Sequence, residues 1–117
     1  STFAGHPVIA AAAQATVTEI IAQNLISESL RKETLIRKHL QHPAIKEIRG
    51  RGLMLAAIVE SPELATKIIL KCLDKGLILF FLLFEGRAMC ITPPLTISDA
   101  ELQKGCALII EAIEEVI

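Results

Sequence analysis

The sequence predicts a two-layer α+β sandwich, in which helices cover one face of a small, mostly antiparallel sheet. Apolar residues at helical spacing alternate with short apolar runs of strand length, and the predicted order is α-α-β-α-β-β-α. Hydrophobic residues make up 52% of the 117 residues but aromatic residues only 3%, so aliphatic side chains must fill the core. Such a core is typical of helices packed on a sheet, and the length suits a single domain.

The first predicted helix is apolar nearly all round. Pro7 stands where a first helical residue is favoured, and the Ala-rich run over residues 8–22 has a high helix propensity. A helix without a polar face needs cover on more than one side. We therefore expect something outside this chain to cover it.

The second predicted helix has one apolar face and begins after Asn24, whose side chain can cap it. It ends at His42-Pro43, because the residue before a proline is pushed out of the α region. The residues predicted to share the apolar face are Ile26, Leu30, Ile36 and Leu40. Those predicted to stay in water are Glu28, Arg31, Lys32, Arg37 and Lys38.

The middle of the chain predicts one strand and one well-capped helix. The apolar run over residues 53–59 has strand length and follows two Arg-Gly pairs at residues 49–52. Ser61 can cap the next helix with Pro62 in its first turn, and Gly76 can end it in the left-handed conformation. The buried stripe of this helix is predicted to be Ala65, Ile68, Ile69 and Cys72.

The C-terminal part predicts two strands and a last helix. Residues 77–84 are apolar without alternation, so this strand should be buried on both faces or lie against another domain. A turn at residues 85–87 leads into a strand over residues 88–92, which Pro93-Pro94 must stop. Ser98 and Glu101 form a capping box. The apolar face of the helix that follows is predicted to be Leu102, Cys106, Ile109, Ile113 and Val116.

Composition argues against several classes of partner. The 12 basic and 13 acidic residues nearly cancel, which disfavours nucleic acid and anionic membranes. No apolar run approaches the ~18 residues of a membrane span. Three cysteines at wide spacing, Cys72, Cys90 and Cys106, lack a CxxC pair and indicate reduced thiols, the first and last of them buried. We expect a soluble, cytoplasmic protein.

Catalytic chemistry leaves little trace in the sequence. His39 and His42 lie on or beside a polar helical face, the lysines are spaced as surface charges, and Gly50-x-Gly52 is a weak glycine signal. No nucleophile with its base, carboxylate pair or metal cluster is visible. From the residues alone, the chain is a domain that supports a site and does not hold one.

Three segments, taken in order, carry a family resemblance. They are STFAGHP at residues 1–7 before the Ala-rich helix, IRGRGLM at residues 48–54, and ITPPLTIS at residues 91–98 before the last helix. Their order, separations and coverage of almost the whole chain resemble the C-terminal small domain of class III pyridoxal-phosphate-dependent aminotransferases.

This resemblance implies a fold-type I enzyme that moves an amino group between an amine or amino acid and a 2-oxo acid, and that works as a homodimer. It implies that Thr2, with Ser1 beside it, hydrogen-bonds the phosphate of pyridoxal 5'-phosphate in the partner's site. Without the resemblance, Thr2 would be interpreted as a plain helix-entry residue. The required Schiff-base lysine would lie upstream of Thr2. The chain alone should therefore be inactive.

One departure from the family pattern concerns the substrate pocket. Many members place an arginine three residues before the Pro-Pro pair, where it grips a substrate carboxylate, and this chain has Cys90 there. Either Arg87 substitutes, or the substrate is an amine or ω-amino acid, or the protein has drifted from its usual reaction. His6, where many members have Asn, favours the second interpretation.

A small, non-catalytic α+β module that binds a ligand or regulates a partner is the alternative. The scarcity of catalytic residues fits both hypotheses. A free-standing module has little reason to keep an uncovered apolar helix, which favours the enzyme domain. The start at Ser1 without a Met is compatible with processing or with a cut inside a longer protein, and we favour the cut.

Overall fold

The computed structural model describes residues 2–117 and confirms a small α+β domain with an antiparallel sheet. Its elements, in chain order, are α1 Pro7–Ala22, α2 Leu25–His39, β1 Glu47–Arg51, β2 Met54–Ile58, α3 Pro62–Asp74, β3 Phe80–Phe81, β4 Ala88–Ile91 and α4 Asp99–Val116. The order is therefore α-α-β-β-α-β-β-α, with one strand more than the sequence predicted.

The additional strand is β1, which pairs with β2 in an antiparallel hairpin. It was missed because its sequence, EIRGR, is polar and mostly exposed, so no apolar run marks it. Gly50 has a φ of 109°, and a Cβ there would collide with the carbonyl oxygen of Met54. Glycine is thus required at this position of the hairpin, where the sequence offered only a weak glycine signal.

The sheet has the order β1-β2-β4-β3, and every pair is antiparallel. Of the apolar run over residues 77–84, only Phe80 and Phe81 form a strand. Ile78, Leu83 and Phe84 are exposed, so burial of this run on both faces does not occur within the chain. Because β3 is an edge strand, only one of its sides is paired.

The core lies between the sheet and helices α2, α3 and α4. The predicted stripe of α3 is buried, and so are Leu102, Cys106, Ile109 and Ile113 of α4. Ser61 accepts a hydrogen bond from the Leu64 N–H at 3.1 Å, and the Ser98–Glu101 capping box is formed. Burial raises the pKa of the Cys72 and Cys106 thiols to about 11, so both stay protonated at neutral pH.

Three predictions for α2 were wrong. Asn24 has a left-handed conformation and makes no capping hydrogen bond with its side chain. Ile26 and Leu30 are exposed, and the helix instead buries Leu25 and Ile36. Lys32 is 5% exposed and donates to the Leu95 carbonyl at 2.7 Å, so this charge was wrongly placed in water.

Helix α1 packs against α2 and buries none of its residues within the described chain. Its bounds match the prediction, with Pro7 as the first residue. Among the helices that the structure describes, none combines the length and the hydropathy needed to cross a bilayer.

Candidate functional site

The two faces of the sheet differ in what they contact. Met89 and Ile91 of β4 belong to the core under the helices, so Cys90 between them points to the opposite face. Cys90 pairs with Ala56 on one side and Phe80 on the other, and Ala56 pairs with Arg49. Directly paired residues share a face, so these four form one row. We call the surface formed by Arg49, Ala56, Cys90 and Phe80 the Cys90 face.

A cluster of four charges borders the Cys90 face. Glu85 accepts hydrogen bonds from Arg87 Nε at 2.9 Å and from Arg87 Nη2 at 2.8 Å. A second guanidinium approaches the same carboxylate, with Arg49 Nη1 3.6 Å from Glu85 Oε2, and Arg49 also pairs with Glu47. Arg87, followed by Arg49, lowers the pKa of Glu85 to about 2. Both arginines therefore face carboxylates.

Cys90 is half-buried, and its thiol lies 3.9 Å from the Thr92 hydroxyl. It lines a cavity of about 280 Å³ between the segment before β3, the end of β4 and α4. The wall is almost wholly apolar, and Glu101 contributes its one carboxylate. Apolar cavities of this kind admit apolar groups more readily than ions.

Thr2 lies in the turn before α1 and is exposed, whereas Ser1 lies outside the described residues. His6 caps the helix, because its Nδ1 accepts a hydrogen bond from the Val8 N–H at 3.3 Å. Gly5 has a φ of 78°, and a Cβ built there meets no atom within 4 Å. The segment before α1 is therefore exposed at Thr2 and open around Gly5.

Arg87 and Cys90 stand three residues apart at one end of the sheet. Among the described residues, no hydrogen bond or ion pair joins either of them to Thr2. The structure thus divides the predicted site residues into a pair beside the sheet and a single hydroxyl at the start of α1.

Two of the histidines and three of the lysines have structural partners. His42 Nδ1 accepts from the Ala44 N–H at 3.1 Å, as a local turn contact. Lys71 and Lys75 pair with Glu115 at 2.7 and 2.6 Å, and Lys32 is bonded to a carbonyl. No lysine lines the apolar cavity, and residues 2–117 contain no group of metal-ligating side chains suited to a metal ion.

The sequence missed Glu85 as a site residue. It appeared only as part of a turn, because nothing in the local pattern indicates that two arginines converge on it. Arg49 belongs to a strand that was not predicted, so its position in the row of Cys90 was not foreseeable.

Fold and surface together define an α+β domain with one helix uncovered and one sheet face turned away from the helical layer. The chain belongs to the class III aminotransferase family, whose sequence model matches residues 1–113.

Similar proteins agree with this family over nearly the whole chain. An acetylornithine aminotransferase of Caldanaerobacter subterraneus is 29% identical over 99% of the chain and 30% of its own length. A 4-aminobutyrate aminotransferase of Mycobacterium leprae is 37% identical over 89% of the chain and 26% of its own length. The crystal structure of an ornithine aminotransferase from Toxoplasma gondii superposes with a TM-score of 0.87, at 32% identity, over 99% of this chain and 29% of that one. The chain thus spans less than a third of the length of these proteins.

Proposed function

We propose that these residues form the C-terminal small domain of an aminotransferase that moves an amino group between an amine or ω-amino acid and a 2-oxo acid. The observation that carries the proposal is the family match over residues 1–113, together with coverage of only 30% of a full-length relative. The remaining length of such a protein is where we place the large, cofactor-holding domain. The active form is proposed to be a cytoplasmic homodimer.

Pyridoxal 5'-phosphate, when bound, supplies an electron sink that stabilises negative charge beside the reacting nitrogen. The exposure of Thr2 supports its proposed contact with the phosphate end. The Thr2 hydroxyl is exposed in the turn before α1, and a Cβ at the nearby Gly5 would meet no atom within 4 Å. Thr2, with Ser1 beside it, would donate to phosphate oxygens across the dimer interface.

The described lysines do not offer a comparable site for the aldehyde end. Lys32, Lys71 and Lys75 each bond a carbonyl or a carboxylate, and no lysine lines the cavity. The Schiff-base lysine is therefore proposed to belong to upstream sequence, and the 117 residues alone are proposed to be inactive.

Cys90 and Arg87 are proposed to contribute to the wall of the substrate pocket. The Cys90 face turns away from the domain's own helices, which makes it available to a second domain. A thiol cannot grip a carboxylate as a guanidinium does, because it carries neither the charge nor the paired donors. The engagement of Arg87 by Glu85 favours an amine or ω-amino acid as the donor.

A non-catalytic ligand-binding module is the second candidate. The observation in its favour is the apolar cavity of about 280 Å³, which is close to the size of small-molecule sites. Its lining residues come from the segment before β3, β3 itself, the end of β4 and α4, so the cavity does not require a second domain.

The discriminating experiment compares the 117-residue chain with the longer protein that its coding region specifies. We expect the longer protein to retain pyridoxal phosphate through gel filtration, seen by its absorbance, and to transfer an amino group from an amine to pyruvate. The 117-residue chain should retain no cofactor. Tight binding of the cofactor by the short chain would contradict the assignment of Thr2 as a cross-subunit ligand.

The same pair of proteins tests the substrate wall. Cys90→Arg in the longer protein should improve the turnover of an α-amino acid, because it supplies the missing carboxylate partner. Cys72→Ala is the matched control, since that thiol is buried in the core and does not line the apolar cavity that Cys90 borders. An equal change in both variants would remove Cys90 from the pocket.

A further inference from the structure

Gly105 lies in the middle of α4, where the packing of the described chain does not require a glycine. Its backbone is helical, so no unusual φ calls for glycine at this position. Beyond its chain neighbours and the helix backbone, a Cβ built there would have only Leu77 Cδ1 nearby, at 4.0 Å, which is an ordinary contact. Glycine inside a helix is less stable than alanine, because it loses more conformational freedom on folding. Gly105 therefore leaves a gap on α4 that a side chain could fill.

This gap opens into the apolar cavity of about 280 Å³ that Cys90 also lines. The cavity forms because residues 77–79 precede β3 and do not pair with β4 in the described sheet, whereas β4 continues to Ile91. Its floor consists of the buried side chains of Ile36, Ile91, Leu102, Cys106 and Ile109. Such a floor favours an apolar occupant, because binding removes apolar surface from water.

Two polar side chains that line the cavity favour a neutral occupant. Thr92 is exposed, and within residues 2–117 its hydroxyl has only the Cys90 thiol as a hydrogen-bond partner, at 3.9 Å. A thiol is a weak donor, so the hydroxyl can still bond a ligand. Glu101 accepts from the hydroxyl and the N–H of Ser98, which lowers the pKa of its carboxyl, so it stays negative and disfavours an anion. Because that carboxylate is exposed, it attracts a cation only weakly.

The volume of the cavity sets the size of the ligand. An apolar cavity of about 150 Å³ admits a benzene-sized molecule, so one of about 280 Å³ admits roughly ten non-hydrogen atoms. We propose that this cavity binds a small, neutral, mostly apolar molecule of that size, whose single hydrogen-bonding group meets the Thr92 hydroxyl. Gly105 keeps room for the apolar body of the ligand, and Thr92 orients it.

Indole is a suitable probe, because it is neutral, has the required size and carries a single N–H donor. The 117 residues contain no Trp and no Tyr, so fluorescence excited in the indole band comes from the probe alone. Its emission should shift to shorter wavelength on binding, with a Kd on the order of 0.1–1 mM for a ligand of this size. A signal that rises without saturation up to the solubility limit of indole would overturn the proposal.

Filling the gap on α4 tests the place of binding. Gly105→Leu should weaken indole binding about tenfold or more, because the new side chain occupies the cavity. Ala107→Leu is the matched control, since it adds the same side chain to an exposed position on α4 that does not line the cavity. Circular dichroism checks that both variants remain folded. Equal affinities in the two variants would overturn the proposal.

Two milder variants keep the test decisive if Gly105→Leu unfolds. Gly105→Ala should raise the Tm by a few degrees and yet weaken indole binding about two- to fivefold, the effect of about one methylene group. Thr92→Val should weaken binding about two- to tenfold, because it removes one hydrogen bond and keeps the shape of the side chain. Unchanged affinity in both variants would contradict the assignment of this cavity.

The exposed apolar segment beside the cavity is the competing place of binding. Phe84 is fully exposed and does not line the cavity. Phe84→Ser should therefore leave the Kd of indole unchanged. Loss of binding in this variant would place the probe on the exposed segment and overturn the proposal.

The site goes beyond the aminotransferase proposal and gives the second candidate function its class of ligand. The longer protein should bind indole with the same dependence on Gly105. Binding by the 117-residue chain but not by the longer protein would mean that upstream sequence fills the cavity, and would overturn the proposal for the complete protein. Failure of the indole titration leaves the aminotransferase proposal intact, because cofactor retention and amino transfer are measured separately.

Discussion

Helices α1 and α4 are similar in length, with 16 and 18 residues, and both are rich in apolar side chains. Helix α4 buries five residues, whereas α1 buries none within the described chain. The difference lies in the arrangement of these side chains. In α4 they recur on one stripe that faces the sheet, and in α1 they surround the helix, so no single contact can cover them.

The segment over residues 77–84 resembles α1 in this respect. It is apolar on both sides, only two of its residues pair with β4, and Phe84 is fully exposed. In both of these regions the apolar residues are not confined to one side of the helix or strand. This is the feature that the two uncovered regions share. Exposed apolar regions of this kind favour a contact with another protein surface.

The largest expected effect separates the two helices directly. Ile113 of α4 is 0% exposed and Ile21 of α1 is 70% exposed. Ile113→Ala should lower the free energy of unfolding by about 2–5 kcal/mol through lost burial and the cavity that remains, whereas Ile21→Ala should change it by less than ~0.5 kcal/mol. Urea unfolding of the 117-residue chain, followed by circular dichroism, measures both. A loss above 1 kcal/mol for Ile21→Ala would show that α1 is part of the cooperative core.

The next prediction tests whether the uncovered helix begins at a cofactor site. In the longer protein, Thr2→Ala should weaken retention of pyridoxal phosphate by about 1–3 kcal/mol, the range for a hydrogen bond to a charged group. Thr16→Ala is the control, because the Thr16 hydroxyl donates to the Ala12 carbonyl at 2.9 Å within α1. Dialysis against a cofactor-free buffer gives the affinities, and identical values for the two variants would exclude Thr2 from the site.

A smaller effect compares the caps of the two helices. Ser98 caps α4, and α4 is packed into the core. Ser98→Ala should therefore lower the free energy of unfolding by about 1 kcal/mol. His6 caps α1, and His6→Ala should cost less than ~0.5 kcal/mol because α1 is not packed into that core. Thermal unfolding of the two variants of the 117-residue chain provides the comparison. Equal losses would mean that α1 unfolds together with the core.

The smallest expected effect is a pH dependence of the free energy of unfolding, which comes from the ion pairs of Glu115 on α4. Lys71, followed by Lys75, lowers the pKa of Glu115 from 4.5 to about 2. Because the folded-state pKa is depressed, the ion pairs stabilise the fold above pH 4.5, and this contribution is lost as the pH falls towards 2. As the pH is lowered from 4.5 towards 2, the urea midpoint of Glu115→Gln should therefore fall less steeply than that of the unaltered chain. Since the groups are exposed, 1 M salt should reduce the difference, and parallel curves for the two proteins would contradict the assignment.

The sequence by itself determined the elements that follow local rules. Pro7, Ser61, Gly76 and the Ser98–Glu101 box stand at helix ends where backbone groups need a partner or an unusual φ, and the structure places them there. The stripes of α3 and α4 were also predictable, because helical spacing alone assigns the buried side.

The tertiary structure alone decided what depends on residues distant in sequence. Strand β1 exists because β2 pairs with it, and Lys32 is buried because the Leu95 carbonyl meets its amine. Arg49 approaches Glu85 only because β1, β2 and β4 share a sheet, whereas Arg87 is a local partner two residues along the chain. A local sequence pattern does not predict such contacts, because the groups that make them come together only in the folded chain.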